Sequence, residues 1–297
     1  MAESTTAPSR LARLAAWVGA WQPLTGGGVA AFAQATLVRV VVFQFAFAFA
    51  GAFALVLALR LAWVPTVEDA LRQLPEHTAN VKAGRLNWPG INLVVLGERP
   101  QLSLMVNPVE GTKTGQVSDI QAELLPDRLR VRGLLGFVDL AYPPELELPL
   151  TLTGGRAAWD AWRTSGAAVA GGLTAAGLIA GWWILATIYA LPVWGIAVLG
   201  SRSPGAAGAW KLAAVSQLPA TALLFGFLLL YAVRAIPPTG LGVGAVISLL
   251  SAWVWIAWAI AKLPASSATA SPTEGTAAET STDRKAKSQR KKNPFGA

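Results

Sequence analysis

Few residues of this chain could do enzymatic or metal chemistry. Its 297 residues include no cysteine and a single histidine, His77. Without thiols the chain cannot form a disulfide, a thiol nucleophile or a thiolate metal site. One imidazole cannot supply the several nitrogen or sulfur donors of a transition-metal centre, so we interpret His77 as a loop histidine. The sequence therefore predicts no metal and no cofactor.

Two carboxylates are the best candidates for acid–base chemistry. Asp119 and Glu123 lie four residues apart on a predicted strand and so would share one face. A catalytic carboxylate also needs a positioned partner in a cleft, and the sequence around this pair offers none. We interpret the pair as part of a solvated strand face, and the sequence favours a non-enzymatic protein.

Two glycine-rich segments resemble nucleotide-binding loops without meeting their requirements. Gly240, Gly242 and Gly244 have part of the dinucleotide spacing, but they follow Pro237 and Pro238 and open an apolar helix. The dinucleotide fingerprint needs a preceding strand and a βαβ unit, so close helix packing is the better interpretation. Residues 111–115 lack the Gly-Lys-Ser/Thr order of a phosphate loop and are predicted to form a turn.

The composition indicates that lipid covers much of the chain. Only 13% of residues are charged and 54% are apolar, whereas soluble domains carry about 25% charged residues. Apolar runs long enough for a bilayer occur at 40–61, 165–190, 212–233 and 241–261. The charge-free block 165–200 leaves open whether it holds one span or two. The predicted fold is an α-helical integral membrane protein with about four transmembrane helices and a β-rich extracytoplasmic domain between helices 1 and 2.

The basic residues near the predicted span ends favour both termini in the cytoplasm. Absence of cysteine and of glycosylation sequons is compatible with a multi-pass protein of the bacterial inner (cytoplasmic) membrane. Segment 1–39 would carry an interfacial amphipathic helix at 9–22, although a helix packed on the bundle fits equally well. Residues 264–297 are predicted to be a disordered basic tail. Its residues expected to contact anionic lipid headgroups are Arg284, Lys285, Lys287, Arg290, Lys291 and Lys292. We expect these basic residues to contact lipid rather than nucleic acid, because no aromatic residues alternate with them in the sequence.

Residues 66–152 change to a period of two, which predicts strands. After a helix capped by Thr66, the predicted strands are 91–96, 101–106, 119–125, 129–132, 134–141 and 145–152. We expect a small antiparallel domain attached to the membrane at both ends.

Small and polar residues mark the predicted spans. Gly172, Gly177 and Gly181 suit helix packing, within one bundle or between two copies in a homodimer. Gln217 and Pro219 could form a polar seam. The predicted membrane cores, taken as 40–59 in the first span, contain no ionisable residue, which argues against an ion-coupled transporter.

Some short motifs resemble an uncharacterised bacterial membrane family of the maltodextrin-utilisation-locus type, with a layout similar to Yip-type membrane proteins. The resemblance lies in Leu74-Pro75, in residues 81–86 and in residues 211–219, within a layout that covers most of 30–262. The chain has one clear span fewer than some members. The resemblance implies the anchor–β-domain–helices architecture and implies no catalytic residues.

Two functions fit these observations. The first is a non-enzymatic inner-membrane protein whose external β domain binds, senses or scaffolds an envelope partner. The alternative is a carrier of lipids or small apolar solutes through the helical bundle. The partners expected in either case are the lipid bilayer and other membrane or envelope proteins.

Overall fold

The computed structural model describes residues 22–109, 115–202 and 204–265, and it is mostly helical (60%) with a small sheet region. Four of its helices are long and apolar enough to cross a membrane, which confirms the helical part of the predicted fold. The predicted amphipathic helix at 9–22, apart from Gln22, lies outside the described residues. The helices are α1 (Gly26–Phe32), α2 (Leu37–Ala62), α3 (Val64–Arg72), α4 (Leu152–Leu199), α5 (Gly205–Ala232) and α6 (Pro238–Lys262).

Threonine side chains begin three of these helices. The hydroxyls of Thr25, Thr36 and Thr151 accept the backbone N–H three residues later, at 3.0, 3.4 and 3.3 Å. Each bond satisfies one of the backbone donors that a helix leaves open at its start. At the start of α6, Pro238 occupies a position where its missing N–H costs nothing.

Helix α4 is one uninterrupted helix of 48 residues. It begins at Leu152 rather than near residue 165 and continues through Pro192 rather than ending near residue 190. Proline in a helix removes one hydrogen bond, and the buried residues Val193 and Ala197 beyond it retain the packing that keeps the helix intact. Block 165–200 therefore belongs to one helix and not to two spans joined by a turn.

Helix α5 is the centre of the helical bundle and contacts α1, α2, α4 and α6. Residues 212–221 are buried on every side. Small side chains such as Ala213, Ala214 and Ser216 allow this close surrounding. Near the sheet, glycines on the neighbouring helices make room for the aromatic rings of α5, because a Cβ at Gly51 or Gly244 would overlap Phe225 or Phe227.

The sheet region holds eight strands in two sheets. They are β1 (Asn80–Lys82), β2 (Arg85–Asn87), β3 (Val94–Glu98), β4 (Leu102–Val106), β5 (Ile120–Leu124), β6 (Arg128–Gly133), β7 (Gly136–Ala141) and β8 (Leu148–Pro149). One sheet has the order β2-β1-β8 and the other the order β3-β4-β5-β6-β7.

The prediction of a wholly antiparallel domain is wrong at one pair. Strands β4 and β5 are parallel, with Leu102 opposite Ile120. A parallel pair cannot be joined by a two-residue hairpin turn, and thirteen residues (107–119) separate these two strands. The predicted strand 145–152 is reduced to the two residues of β8, and the short strands β1 and β2 were not predicted.

Candidate functional site

A large cavity lies where the five-stranded sheet meets the ends of three helices. It measures about 800 Å³ and is lined by β5–β7 together with α2, α5 and α6. We call it the junction groove. Its principal apolar lining residues are Leu55, Leu59, Val131, Val138, Leu228 and Leu241.

Strand register explains why the sheet presents apolar residues to this groove. Val131 pairs with Ala122 on β5 and with Val138 on β7, so all three side chains share one face. The same face continues to Leu129 and Leu124, which pack into the core of the sheet region with Leu74 and Val81. The apolar face is therefore covered at one end and open at the junction groove.

Polar side chains join the sheet to the end of α5 beside the groove. The Tyr231 hydroxyl donates to Oδ2 of Asp119 at 2.9 Å, and Nε of Arg234 donates to Oε1 of Gln101 at 3.3 Å. Asp119 is held in turn by its backbone N–H, which donates to the Pro100 carbonyl at 2.8 Å. These residues are more than a hundred positions apart in the chain, and no pattern in the sequence indicates the contacts.

The interpretation of Glu123 as part of a solvated face is wrong. Glu123 is only 1% exposed. Its Oε1 accepts from Nδ2 of Asn107 at 2.8 Å, and its Oε2 lies 3.2 Å from a guanidinium nitrogen of Arg132. Asp119 precedes β5 and bonds Tyr231 instead. The two carboxylates therefore have separate partners and do not form an acid–base pair.

Exposed ion pairs lie elsewhere on the sheet region. Arg130 donates to both carboxylate oxygens of Asp139, at 2.7 and 2.8 Å, and this bonding lowers the pKa of Asp139. Lys82 and Glu147 are 2.8 Å apart, which raises the pKa of the lysine and lowers the pKa of the glutamate. Burial raises the pKa of Tyr142, whose hydroxyl donates to the Leu125 carbonyl.

In the part of the chain that the structure describes, no group of three or more His, Asp and Glu could hold a metal ion.

Gln217 of the predicted polar seam belongs to a hydrogen-bonded ladder between α4 and α5. Its Nε2 donates to the carbonyls of Trp182 and Ala213, both at 3.3 Å. The Trp182 indole N–H donates to the Thr221 hydroxyl at 3.0 Å, and that hydroxyl donates to the Gln217 carbonyl at 2.7 Å. Pro219 is buried in the same stretch and has no backbone N–H to donate to the carbonyl of Val215.

A second groove of about 420 Å³ lies beside this ladder between α4, α5 and α6. We call it the bundle groove. Gly177, Gly181, Gln217 and Ser248 line it, whereas Gly172 lies outside it. A Cβ at any of the three glycines Gly172, Gly177 and Gly181 would meet no atom within 4 Å. Their small size therefore leaves open space beside α4 among the described residues, and homodimerisation through them stays a prediction.

Tryptophan indoles also join other helices, which the sequence did not reveal. The Trp183 N–H donates to Oε1 of Gln44 at 3.0 Å, linking α4 to α2. Gln44 is 1% exposed, and its Nε2 has no hydrogen-bond partner among the described residues. The Trp210 N–H donates to the Thr187 hydroxyl at 3.2 Å. The signal that the sequence offered for these contacts was the presence of polar residues within apolar runs, in a chain with 13 tryptophans.

The predicted headgroup-contact residues lie outside the described residues. They are Arg284, Lys285, Lys287, Arg290, Lys291 and Lys292.

No protein family, curated protein or solved structure matches this chain. No match therefore accompanies the resemblance in the short motifs, and the two grooves are the structural features that bear on function.

Proposed function

We propose that this is an inner-membrane protein whose external β domain, together with the adjoining helix ends, binds an elongated apolar molecule of the cell envelope in the junction groove. Both termini lie in the cytoplasm. The protein acts by binding, and so senses or scaffolds its partner, rather than by catalysis.

The charge at the helix ends supports this membrane placement. The helix ends remote from the sheet carry or adjoin Arg39, Arg202, Lys211 and Lys262, and the sequence adds Arg10, Arg13 and the six basic residues of 284–292 before the first and after the last of these helices. The sheet-side ends have four basic residues, Arg60, Arg156, Arg163 and Arg234. Excess Lys and Arg favours the cytoplasmic side of a membrane. The β domain then lies outside the cytoplasm.

The junction groove is the observation that carries the proposal. Its volume of about 800 Å³ falls within the usual range of about 300–1,000 Å³ for small-molecule sites. Ligand sites are mostly apolar with a few placed polar groups, and this groove combines aliphatic walls with Asp119 and Tyr231.

The lining favours an amphiphile with a long apolar chain. Leu55, Leu228 and Leu241 come from helices predicted to lie in lipid, so the groove adjoins the hydrocarbon region of the proposed membrane. A lipid or a lipid-linked envelope molecule could then enter from the bilayer with its polar end near Tyr231 and Asp119.

Filling the groove tests this proposal. Val138 lines the groove and is 60% exposed, so Val138→Trp should occupy the space without disturbing the fold. Val109 is 46% exposed and lies outside the groove, so Val109→Trp is a matched control. The full chain in phospholipid nanodiscs is irradiated with a diazirine-bearing palmitic acid, and labelled peptides are mapped by mass spectrometry. We expect labelling of α2 and β6 to fall several-fold in Val138→Trp only. Equal labelling of both variants would contradict the proposal.

The alternative function is that of a carrier of lipids or small apolar solutes. The observation in its favour is the bundle groove, where Gln217 and Thr221 place polar atoms beside open space in the helical region. Lipid scrambling by proteoliposomes that is lost in Gln217→Leu and retained in Gln73→Leu, a change at an exposed glutamine, would support a carrier. Absence of protein-dependent flux would remove this alternative.

A further inference from the structure

The turn between β6 and β7 has an unusual composition for a turn in water. Gly133 pairs with Gly136, which leaves a two-residue loop of Leu134 and Leu135. Such loops are dominated by Asn, Asp and Gly. Here Leu134 is 67% exposed and Leu135 is fully exposed. We call these four residues the hairpin tip.

The apolar surface continues from the hairpin tip along β7. Phe137, Val138 and Leu140 are 64%, 60% and 52% exposed, and every residue of this edge strand is exposed. The opposite edge of the sheet, β3, is packed against α3, where the backbone carbonyl of Thr66 would obstruct a Cβ at Gly97. The sheet therefore covers one of its edges and leaves an apolar one open.

The hairpin tip lies at the level of the apolar helix ends. Leu134 and Leu135 line the junction groove together with Leu55 and Leu241. Leu55 is seven residues before the end of α2, which places it about 10 Å inside the helix end at 1.5 Å per residue. Leu241 is three residues after the start of α6, which corresponds to about 5 Å. Both residues lie within charge-free stretches, with Arg60 and Arg234 closer to the sheet-side ends.

The charges of the hairpin are paired, and none lies within its tip. Arg130 is bonded to Asp139, and Arg132 approaches Glu123. The guanidinium of Arg130 also stacks on the Phe137 ring, 4.9 Å from its centroid. No charged side chain lies between Gly133 and Gly136.

Backbone chemistry limits how deep this segment can enter lipid. An open strand edge cannot lie in hydrocarbon, because its backbone donors and acceptors would have no partner. At the tip, however, Gly133 and Gly136 face each other as ladder partners. A shallow insertion of the tip alone, with β7 at the headgroup level, satisfies both constraints.

We propose that Leu134 and Leu135 insert into the outer leaflet of the membrane, so that the β6–β7 hairpin is a second membrane contact of the β domain. The occupant of this surface is the lipid leaflet rather than a protein. The proposal rests on the membrane placement proposed above, but it does not depend on any ligand in the junction groove.

Fluorescence quenching tests the insertion, and the absence of native cysteines makes single labelling direct. Leu135→Cys carries a bimane label in the full chain, reconstituted into phosphatidylethanolamine–phosphatidylglycerol vesicles that contain doxyl lipids. The side chain is fully exposed, so the substitution leaves the packing unchanged. Leu250→Cys, on the exposed face of α6, is the lipid-facing control, and Glu145→Cys, at an exposed charged position, is the water-facing control.

We expect the label at Leu135 to be quenched by shallow doxyl lipids like that at Leu250, and to be protected from aqueous iodide, unlike that at Glu145. If iodide quenches the label at Leu135 while doxyl lipids still quench the label at Leu250, the proposed insertion is overturned but the membrane placement stands. Protection of Leu135 from both quenchers would also overturn the insertion, because a protein would then cover the tip. Loss of lipid quenching at Leu250 would overturn the membrane placement itself.

Discussion

The two halves of α5 lie in opposite environments. Residues 212–221 are all buried, whereas none of residues 222–231 is buried, and the second half borders the junction groove. The first half is surrounded by α1, α2, α4 and α6 with small side chains at the contacts, and the second half carries the polar link from Tyr231 to Asp119. One helix therefore joins a closely packed centre to an open apolar surface.

This difference in packing predicts that the first half of α5 stabilises the helical bundle and that the second half contributes to binding. Close packing on every side leaves little space for a ligand and favours a single arrangement of the helices. An open apolar groove exposes surface that a soluble, monomeric protein rarely shows. We expect substitutions in the first half of α5 to affect stability, and substitutions around the second half to affect how the β domain is attached and what it binds.

The largest effect should come from truncating a buried leucine of the packed half. Leu218 is fully buried, so Leu218→Ala should cost about 3 kcal/mol of unfolding free energy through the cavity it leaves. Leu230, on the same helix but 44% exposed, should lose less than about 0.5 kcal/mol on the same change. Unfolding of the purified chain in mixed detergent micelles measures both. Equal losses would remove the distinction between the two halves.

A smaller effect should follow from Arg132→Met in the sheet. Breaking a buried ion pair costs about 3–5 kcal/mol, but the Arg132 side chain is itself 23% exposed, so we expect about 2 kcal/mol. Hydrogen–deuterium exchange should show faster exchange in β5 and β6 with the bundle helices unchanged. Arg85→Met, at an exposed arginine, serves as the control. Loss of protection in α5 as well would show that sheet and bundle unfold as one unit.

Removing one hydroxyl should weaken the attachment of the sheet to α5 by less. Tyr231→Phe deletes the hydrogen bond to Asp119, which is partly exposed, so we expect a cost of about 1 kcal/mol. Exchange at the start of β5 should quicken. Tyr189→Phe is the matched control, because the Tyr189 ring packs on Trp253 and makes no hydroxyl hydrogen bond among the described residues. The same exchange change in both variants would contradict a specific role for Tyr231.

The smallest effect concerns pH. Arg130 and Lys82 lower the pKa of Asp139 and Glu147 below the ordinary values of 3.8 and 4.5. A carboxylate whose pKa is lower in the folded state stabilises the fold above its ordinary pKa, and this contribution is lost as the pH falls through the lowered value. Acidification below about pH 4 should therefore lower the thermal midpoint of the sheet region. The decrease should be small, because both ion pairs are exposed to solvent. The double variant Asp139→Asn, Glu147→Gln should lose part of this dependence, and an unchanged dependence would contradict the assignment.

Much of the helical architecture could be predicted because hydropathy and length are local properties. Charge-free runs indicated the four long helices, and a threonine lies at the start of α2 and α4. The length of α4 could not be predicted in the same way. Its first turns contain Arg156, Asp160 and Arg163, which are exposed and helical. Because these residues are charged, the segment was not included in a predicted membrane span. Charged residues can nevertheless be helical, so the helix extends through them.

The sheet and the candidate site were harder to predict because they depend on contacts between distant residues. The parallel pairing of β4 and β5 joins strands that thirteen residues separate, and buried Glu123 contacts Asn107 and Arg132 rather than its chain neighbours. The link from Tyr231 to Asp119 and the link from Trp183 to Gln44 join residues more than a hundred positions apart. A single sequence can show that Gln44 is a polar residue in an apolar run, but it does not show which distant residue is its partner.

The unbroken length of α4 has a mechanical consequence. At 1.5 Å per residue its 48 residues extend about 72 Å, more than twice the roughly 30 Å of a hydrocarbon core. Its first turn packs on α3 and on the residues just after α3, where a Cβ at Gly155 would overlap Leu74, and its later turns border the bundle groove. A rigid rod fixed to both regions acts as a lever, so tilting it by about 10° would displace one end by about 12 Å relative to the other. A force applied to the sheet region would therefore tilt α4 and act on the helix packing beside the bundle groove.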